Sequence, residues 1–436
     1  MKSNAVNTKF LSQPKIAVIG LGYVGLPLAV ALARHYAVVG FDINEKRIQE
    51  LKTGYDRTKE VSSDKLHTST LALSTNSEDL KQQDIYIVTV PTPVTEDLEP
   101  DLIPLEKASE TVGKILSKNA IVVYESTVYP GVTEDFCGPI LEKVSGLKAG
   151  QDFFLGYSPE RINPGDTERT VEHITKVVSG QTKEVAEILQ KIYGAINNNN
   201  IFVAKDIKTA EAAKVIENTQ RDINIAFINE IATIVGKLGL SIYDVLEAAE
   251  TKWNFLKFKP GLVGGHCIGV DPYYLAHCAR KLDHTPEVLL AGRRINENMG
   301  PYLAQRVHEE LLAIDINSPA RILILGVTFK EDIPDLRNTK VIDVIRQLKK
   351  RGHHVDVHDP HAHSEEAETH LGIPILSSFE GVEGYDCIIG AVPHKNYLEL
   401  AHHHFETLLK PEGLVADFKK MWRNIPFPNR IKYWSI

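Results

Sequence analysis

Short apolar runs alternate with amphipathic stretches over the first two hundred residues. Residues 15–20, 37–42, 85–90 and 120–124 have strand length and are rich in branched apolar side chains, while 26–35 has helical length. This alternation predicts a parallel sheet covered on both faces. The pattern changes near residue 206. From Asp206 to Leu238 there is no proline and a single glycine, Gly236. A helix of about 30 residues follows, roughly 45 Å long and suited to a spine between two domains. A second helix is expected over 286–314, broken around Gly300-Pro301. Strand-like runs return at 321–326, 353–358, 387–392 and 414–417, predicting a second, smaller αβ domain. The expected boundaries are 1–203, 204–314 and 315–436.

Composition narrows the class. In 436 residues, 43% apolar and 24% charged is the balance of a globular chain of two or three domains. A net charge of −8 argues against a nucleic-acid partner, whose phosphates call for a basic face. Residues 16–33 are 18 in a row without a charge, nearly a membrane span by length. They contain Gly20, Gly22, Gly25 and Pro27, so they read as a buried strand, a glycine turn and a buried helix. No membrane association is expected. The first fifteen residues lack the apolar stretch of a signal peptide. Cysteines 137, 267, 278 and 387 form no CxxC pair, so they read as thiols of a reducing cytoplasm rather than zinc ligands. Two histidine clusters, His361 with His363 and His402 to His404, read as surface or packing residues, and no metal is expected.

Several constellations carry chemistry. Gly20-Leu21-Gly22-Tyr23-Val24-Gly25 follows a strand run and opens a helix, and Asp42 ends the next strand run 17 residues after Gly25. That context is the dinucleotide fingerprint. The glycines allow the tight turn and close approach of backbone to a pyrophosphate, and a carboxylate at 42 accepts from a ribose. It also repels a 2′-phosphate, favouring NAD over NADP. Lys214 and Asn218 lie four apart on the long helix, with Arg221 seven after Lys214. They suit an oxyanion site, although residues at this spacing more often line a solvated helix face. Cys267 lies in Gly264-Gly265-His266-Cys267-Ile268-Gly269-Val270-Asp271, a candidate nucleophile in a glycine-flanked loop or an inert packing thiol. Glu125-Ser126-Thr127 and Tyr157-Ser158-Pro159-Glu160-Arg161 each follow a strand run, where the ligand crevice of a doubly wound sheet lies.

Together these motifs resemble the nucleotide-sugar 6-dehydrogenase family, which includes UDP-glucose dehydrogenase. The resemblance runs over nearly the whole chain: the glycine turn, Val90-Pro91-Thr92-Pro93, Glu125-Ser126-Thr127, Ser158-Pro159-Glu160, Glu211-Ala212-Ala213-Lys214 with Asn218, Gly264-Gly265-His266-Cys267, and Phe329-Lys330 with Arg337. It implies an α/β fold of two Rossmann-like doubly wound domains, joined by a long central helix and a helical dimerisation region. It implies a homodimer, NAD as cofactor and a UDP-sugar as substrate. It also implies a C6 alcohol oxidised to a carboxylate in two hydride transfers. Cys267 becomes the nucleophile, passing through a thiohemiacetal and a thioester. Lys214 and Asn218 stabilise the oxyanion, Asp271 orients a water or the amine, and Glu160 is the base for thioester hydrolysis. Thr127 serves the nicotinamide end and the catalytic water. The cofactor contacts implied are Gly20, Gly22, Tyr23, Val24, Gly25, Asp42, Arg47, Thr92, Thr127 and Lys330. Those to the substrate are Glu160, Arg161, Lys214, Asn218, Arg221, Lys259, Gly261, His266 and Arg337.

Two departures narrow the branch. The second Glu usual shortly after Ser-Pro-Glu in UDP-glucose enzymes is replaced by Asn163-Pro164-Gly165, and His266 stands before the cysteine. Both resemble the branch acting on UDP-N-acetylhexosamines, the UDP-N-acetylglucosamine/galactosamine 6-dehydrogenases of Vi-antigen and O-antigen biosynthesis. Lys259 stands before Pro260 where Arg is common; it keeps the charge and loses the planar fork. A UDP-glucose enzyme is the alternative within the family. A one-step β-hydroxyacid dehydrogenase needs neither Cys267 nor residues 315–436, and a non-catalytic NAD-binding regulator need not keep Cys267, Lys214 and Glu160 together.

Overall fold

The computed structural model describes residues 13–162, 168–265, 268–379 and 381–436. It divides into two compact units, one of residues through Glu217 with Tyr273–His284, the other of Asn218–Pro272 with Thr285–Ile436.

The first unit is an eight-stranded sheet. Its strands are β1 (Lys15–Ile19), β2 (Ala37–Phe41), β3 (Ala72–Ser74), β4 (Ile85–Val88), β5 (Ile121–Tyr124), β6 (Phe154–Tyr157), β7 (Lys176–Gly180) and β8 (Ile201–Val203). Their order is 3-2-1-4-5-6-7-8, and every pairing is parallel except β6 with β7. Both faces are buried, and β1 shows it residue by residue. Ile16 and Val18 enter one apolar cluster, and Ala17 and Ile19 enter the other. That double burial is why these strands read as continuous apolar runs instead of alternating ones.

The second unit carries a five-stranded parallel sheet of β9 (Arg321–Leu325), β10 (His354–His358), β11 (Tyr385–Gly390), β12 (Leu409–Asp417) and β13 (Lys432–Ser435), in the order 10-9-11-12-13. It repeats the arrangement: Ile322 and Ile324 face one cluster, and Leu323 and Leu325 the other. The two doubly covered, mainly parallel sheets are the α/β architecture expected.

The helix Ile207–Lys237 runs 31 residues without interruption. The helix Glu287–Leu312 corrects the sequence reading, because it passes through Gly300-Pro301 without ending. Gly300 lies where a Cβ would stand 2.9 Å from the Asp343 Cβ, so the missing side chain is what lets the Val341–Lys350 helix approach. Packing of that face outweighs the single backbone bond that Pro301 forfeits. Among the described residues no single helix is long and apolar enough to cross a membrane.

Candidate functional site

In the first unit the glycine turn is shaped by contacts that admit no side chain. Gly20 has φ +94°, and its N–H donates to the Phe41 carbonyl at 2.8 Å. A Cβ on Gly25 would stand 1.9 Å from the Gly20 carbonyl oxygen and 2.3 Å from the Thr89 hydroxyl, while a Cβ on Gly22 would meet nothing within 4 Å. The turn is thus closed on its protein side and open at Gly22, where a pyrophosphate can reach the backbone. The helix Gly25–Ala33 begins at Val24 with no side-chain cap; the Leu26 N–H donates to the Gly22 carbonyl at 3.1 Å and Pro27 has none, so the N–H groups of Val24 and Gly25 are the ones the start of the helix can offer a ligand. The Thr89 hydroxyl donates to the Gly20 carbonyl at 2.7 Å and holds the turn from behind.

Asp42 follows β2. One carboxylate oxygen accepts from the Leu21 N–H and the other from the Asn44 N–H, each at 2.9 Å. Each oxygen keeps a second lone pair, the requirement for a ribose diol. The cradle and the carboxylate therefore fit a dinucleotide. Arg47 is buried beside them and is committed to protein groups: its Nε donates to the Leu21 carbonyl at 2.9 Å, and its guanidinium pairs with Asp56 at 2.8 Å. It braces the turn between the first two glycines.

Thr92 lies beyond the end of β4, half-buried. Thr127, also half-buried, follows β5, where Ser126 donates to the Val90 carbonyl at 2.6 Å and ties the loops after β4 and β5 together. Glu160 follows β6. Its Oε1 accepts from the Arg161 and Ile162 N–H groups at 2.6 and 2.5 Å, and its Oε2 stands 3.5 Å from the Lys176 ammonium. Lys176 also meets Glu125 at 2.6 Å, and the Tyr193 hydroxyl donates to Glu125 at 2.5 Å. Burial pushes the Glu125 carboxyl up. Burial opposes the charge on Lys176, but the two carboxylates outweigh it and hold the ammonium above its ordinary range. Arg161 pairs with Glu217 at 2.8 Å and donates to the Thr175 carbonyl at 3.0 Å.

Lys214 is 7% exposed, and its ammonium has no hydrogen-bond or ion-pair partner among the described residues. A charge taken from water without a partner is costly unless a ligand supplies one. The same helix is anchored one turn earlier by Glu211, whose carboxylate accepts from the Gly131 and Thr133 N–H groups at 2.5 and 2.9 Å.

In the second unit Asn218 and Asp271 are both buried, and the Asn218 amide donates to the Asp271 carboxylate at 2.5 Å. This pairing fixes which way the carboxamide points. Gly264 and Gly265 press onto the 329–338 loop: a Cβ on Gly265 would stand 2.9 Å from the Phe329 ring, and one on Gly264 2.7 Å from the Asn338 carbonyl oxygen. Asn338 in turn donates to the Gly265 carbonyl at 2.9 Å. Asn163, Pro164, Gly165, His266 and Cys267 lie outside the described residues. Gly261 is gripped by Asn229 through both its N–H and its carbonyl, at 2.8 and 3.0 Å, with the Lys419 ammonium alongside. Lys330, Lys340 and Lys419 line an open cleft of about 340 Å³ with Gly264 and Phe329. Burial pulls the Lys419 ammonium below its ordinary range. Arg337 is exposed and clamps its own neighbour Asp335. Arg221 and Lys259 are exposed, with no partner among the described residues.

Of the two histidine clusters, His402 to His404 stay together, with the His403 and His404 ring centroids 3.9 Å apart. His361 meets His394 and Asp332 instead of His363, in a group whose ligand atoms fall within 4.8 Å of one another. His394 is already spent there, with Nδ1 accepting from the Asp332 N–H at 2.9 Å and Nε2 bonded to Asp359 at 3.0 Å. It serves as a hydrogen-bond hub of the loop after β9 rather than as a ligand.

Thr89, Lys176, Asn229 and Lys419 were not singled out from sequence. Lys176 did leave a signal, as a lone charge at the head of an apolar strand. Cys137 and Cys387 are buried thiols, Cys137 pushed up to about 12 by burial, and Cys278 is a free thiol.

Comparison with known proteins gives a consistent picture. Residues 14–197, 208–298 and 323–424 match the NAD-binding, central and UDP-binding domains of the UDP-glucose/GDP-mannose dehydrogenase family. The chain is 55% identical to the protein CapL of Staphylococcus aureus, over 93% of this chain and 95% of that one. It is 52% identical to a UDP-N-acetyl-D-glucosamine 6-dehydrogenase of Pseudomonas aeruginosa, over 93% and 96%. Among solved structures, a UDP-D-ManNAc dehydrogenase of Pyrococcus horikoshii superposes with TM-score 0.87 at 30% identity, covering 96% of this chain and 98% of that one.

Proposed function

Because the chain belongs to the UDP-glucose/GDP-mannose dehydrogenase family, and is an NAD-dependent nucleotide-sugar dehydrogenase acting on a UDP-sugar, we propose that it oxidises the C6 alcohol of a UDP-N-acetylhexosamine to the uronate. UDP-N-acetylglucosamine is its first substrate in this reading. The observation that carries the chemistry is the buried ammonium of Lys214, without a partner among the described residues, one helical turn before an Asn218 amide held by Asp271. A cation and an amide donor on one helix face suit an oxygen that gains negative charge. The substrate class is supported by the 52% identity to a UDP-N-acetyl-D-glucosamine enzyme. It is supported also by the sequence at 163–165 and 266.

NAD, held by the glycine turn and Asp42, supplies the hydride acceptor for both oxidations. The chain's own groups do the rest. Cys267 adds to the C6 aldehyde as a thiolate, and the resulting thiohemiacetal is oxidised to a thioester. Lys214 and Asn218 stabilise the oxyanion at each tetrahedral stage. Glu160 takes a proton from water as the water oxygen bonds to the acyl carbon, the C–S bond breaks, and the thiolate leaves. Lys419 and Lys330 balance pyrophosphate charge in the second unit, while the Lys340 ammonium is taken by Glu297. Half-exposed apolar side chains on the long helix, Ile216, Phe227 and Ile234, support a homodimer built along it.

Initial rates over a panel of UDP-sugars, with NADH counted per sugar, test this reading. UDP-N-acetylglucosamine, and next UDP-N-acetylgalactosamine, are expected to yield two NADH each. UDP-glucose leaves groups meant for the acetamide unpaired, at a cost of about 5- to 150-fold in specificity per group. A higher kcat/KM for UDP-glucose would overturn the substrate, and one NADH per sugar the two-step route.

Cofactor choice is a second check. The protein is expected to use NAD well and NADP poorly, since Asp42 meets a 2′-phosphate with like charge. Asp42→Ala narrows the gap chiefly by raising KM for NAD. Equal activity of the parent with both cofactors would remove Asp42 from the ribose.

A further inference from the structure

Three ionisable side chains converge at Glu160's edge of the sheet, although they come from separate parts of the sequence. Glu125 directly follows β5, Glu160 lies just past β6, and Lys176 is the first residue of β7. β5 and β6 run parallel, so their carboxyl ends share one edge of the sheet, where ligands bind in such folds. β7 runs antiparallel to β6, which pairs Tyr157 with Ser179 and returns the start of β7 to that same edge. A parallel β7 would carry Lys176 to the opposite edge. Reversal of one strand is therefore what places a lysine, 1% exposed, between two carboxylates.

We infer that Lys176 and Glu125 are positioning residues for Glu160, Glu125 absorbing most of the lysine charge so that Glu160 is oriented without being locked as a weakly basic anion. The inference rests on the reading of Glu160 as the base of thioester hydrolysis. Its support is geometric. Lys176 stands 2.6 Å from Glu125 and 3.5 Å from Glu160, so the stronger pairing is with Glu125. The Glu160 Oε1 is already taken by two backbone N–H groups, leaving Oε2 to face both the lysine and a water. The Tyr193 hydroxyl holds the far oxygen of Glu125, and the Arg161 guanidinium is drawn off to Glu217. Among the described residues, Lys176, Glu125 and Tyr193 are thus the titratable groups that face Glu160, with Arg161 beside it. A carboxylate clamped by an undivided ammonium is a poor base, and one facing a bare second carboxylate holds its proton too long.

The test reads the rate of thioester hydrolysis against pH in single turnover, following the acyl adduct on Cys267 by intact mass. In the parent the rate is expected to rise with pH to a plateau. In Glu125→Gln the whole lysine charge falls on Glu160; the acid limb moves to lower pH and the plateau drops. In Lys176→Met two carboxylates are left without a cation, and the limb moves to higher pH. A shift of one pH unit is about a tenfold change in rate on the limb. The double variant Glu125→Gln/Lys176→Met removes the buried pair at nearly constant volume, a change that folded proteins tolerate better than a broken pair. Its limb returns between the two. Should Lys176→Met fail to fold, Glu125→Gln against the double variant carries the test. Limbs that stay at the parental pH, or that move the same way in the single variants, overturn the inference. Glu160→Gln separates the two readings. If it hydrolyses the adduct at the parental rate, Glu160 is not the base; if it stalls with the adduct loaded while the other variants leave the limb in place, only the inference about Lys176 and Glu125 fails.

Discussion

Cys267→Ser is expected to abolish uronate formation, lowering the rate by several powers of ten while NAD binding and the thermal transition stay parental. The size follows from the chemistry of the nucleophile. A cysteine is a few per cent thiolate at neutral pH before any activation, whereas a serine hydroxyl is essentially un-ionised. Losing a covalent nucleophile removes the step that divides a four-electron oxidation into two feasible ones, and such losses are rarely recovered by neighbouring groups. Gly264 and Gly265 press the approach to this loop onto Phe329 and the Asn338 backbone, so the substitution at 267 leaves those contacts untouched. The check is uronate yield by chromatography with intact-mass detection of the acyl adduct. Near-parental yield from the serine variant would remove Cys267 from the mechanism.

Lys214→Met is expected to be the next most damaging change, lowering kcat by about 10²- to 10³-fold with a much smaller change in KM, the signature of a lost oxyanion donor. Methionine nearly matches the lysine stem in volume. The ammonium makes no hydrogen bond or ion pair with any described residue, so the fold loses no partner. Lys214→Arg should not rescue, because a planar fork does not place its donors where a single ammonium does. The measurement is kcat and KM for the first turnover of NADH formation. A methionine variant whose kcat stays within a few-fold of the parent would return Lys214 to the packing of the helix.

Features whose physics is local could be read directly from the chain. The glycine turn is one, since the tightest clash at Gly25 is with the Gly20 carbonyl only five residues away, although the Thr89 hydroxyl that also crowds it comes from far along the chain. The helix Ile207–Lys237 is another, because absence of proline and near-absence of glycine are properties of the segment itself. What escaped depends on partners far off in sequence. The expected break at Gly300 did not occur because Gly300 is a contact surface for the Val341–Lys350 helix, which no local rule reveals. Lys176 draws its meaning from Glu125, 51 positions earlier, and the encounter depends on one strand running backwards. His361, read as a surface or packing residue, sits with His394 and Asp332, residues far from it in sequence. Lys419 follows β12 in a stretch with no recognisable motif; its place beside Gly261 is a product of the second unit's packing.

The mooring of the long helix has a consequence for motion. Glu211 ties the first turns of that helix to the Gly131 and Thr133 amides, three residues before Lys214 and a few residues beyond Thr127. Burial pushes this carboxyl up to about 7. A carboxylate accepts both amides fully, whereas its protonated form turns one oxygen into a hydroxyl that accepts poorly. Near neutrality the rope therefore alternates between two strengths as a proton comes and goes. The turn that carries Lys214 and the 131–133 loop are thus expected to be held together more tightly when Glu211 is ionised than when it is protonated, a joint whose grip a single hydrogen ion adjusts.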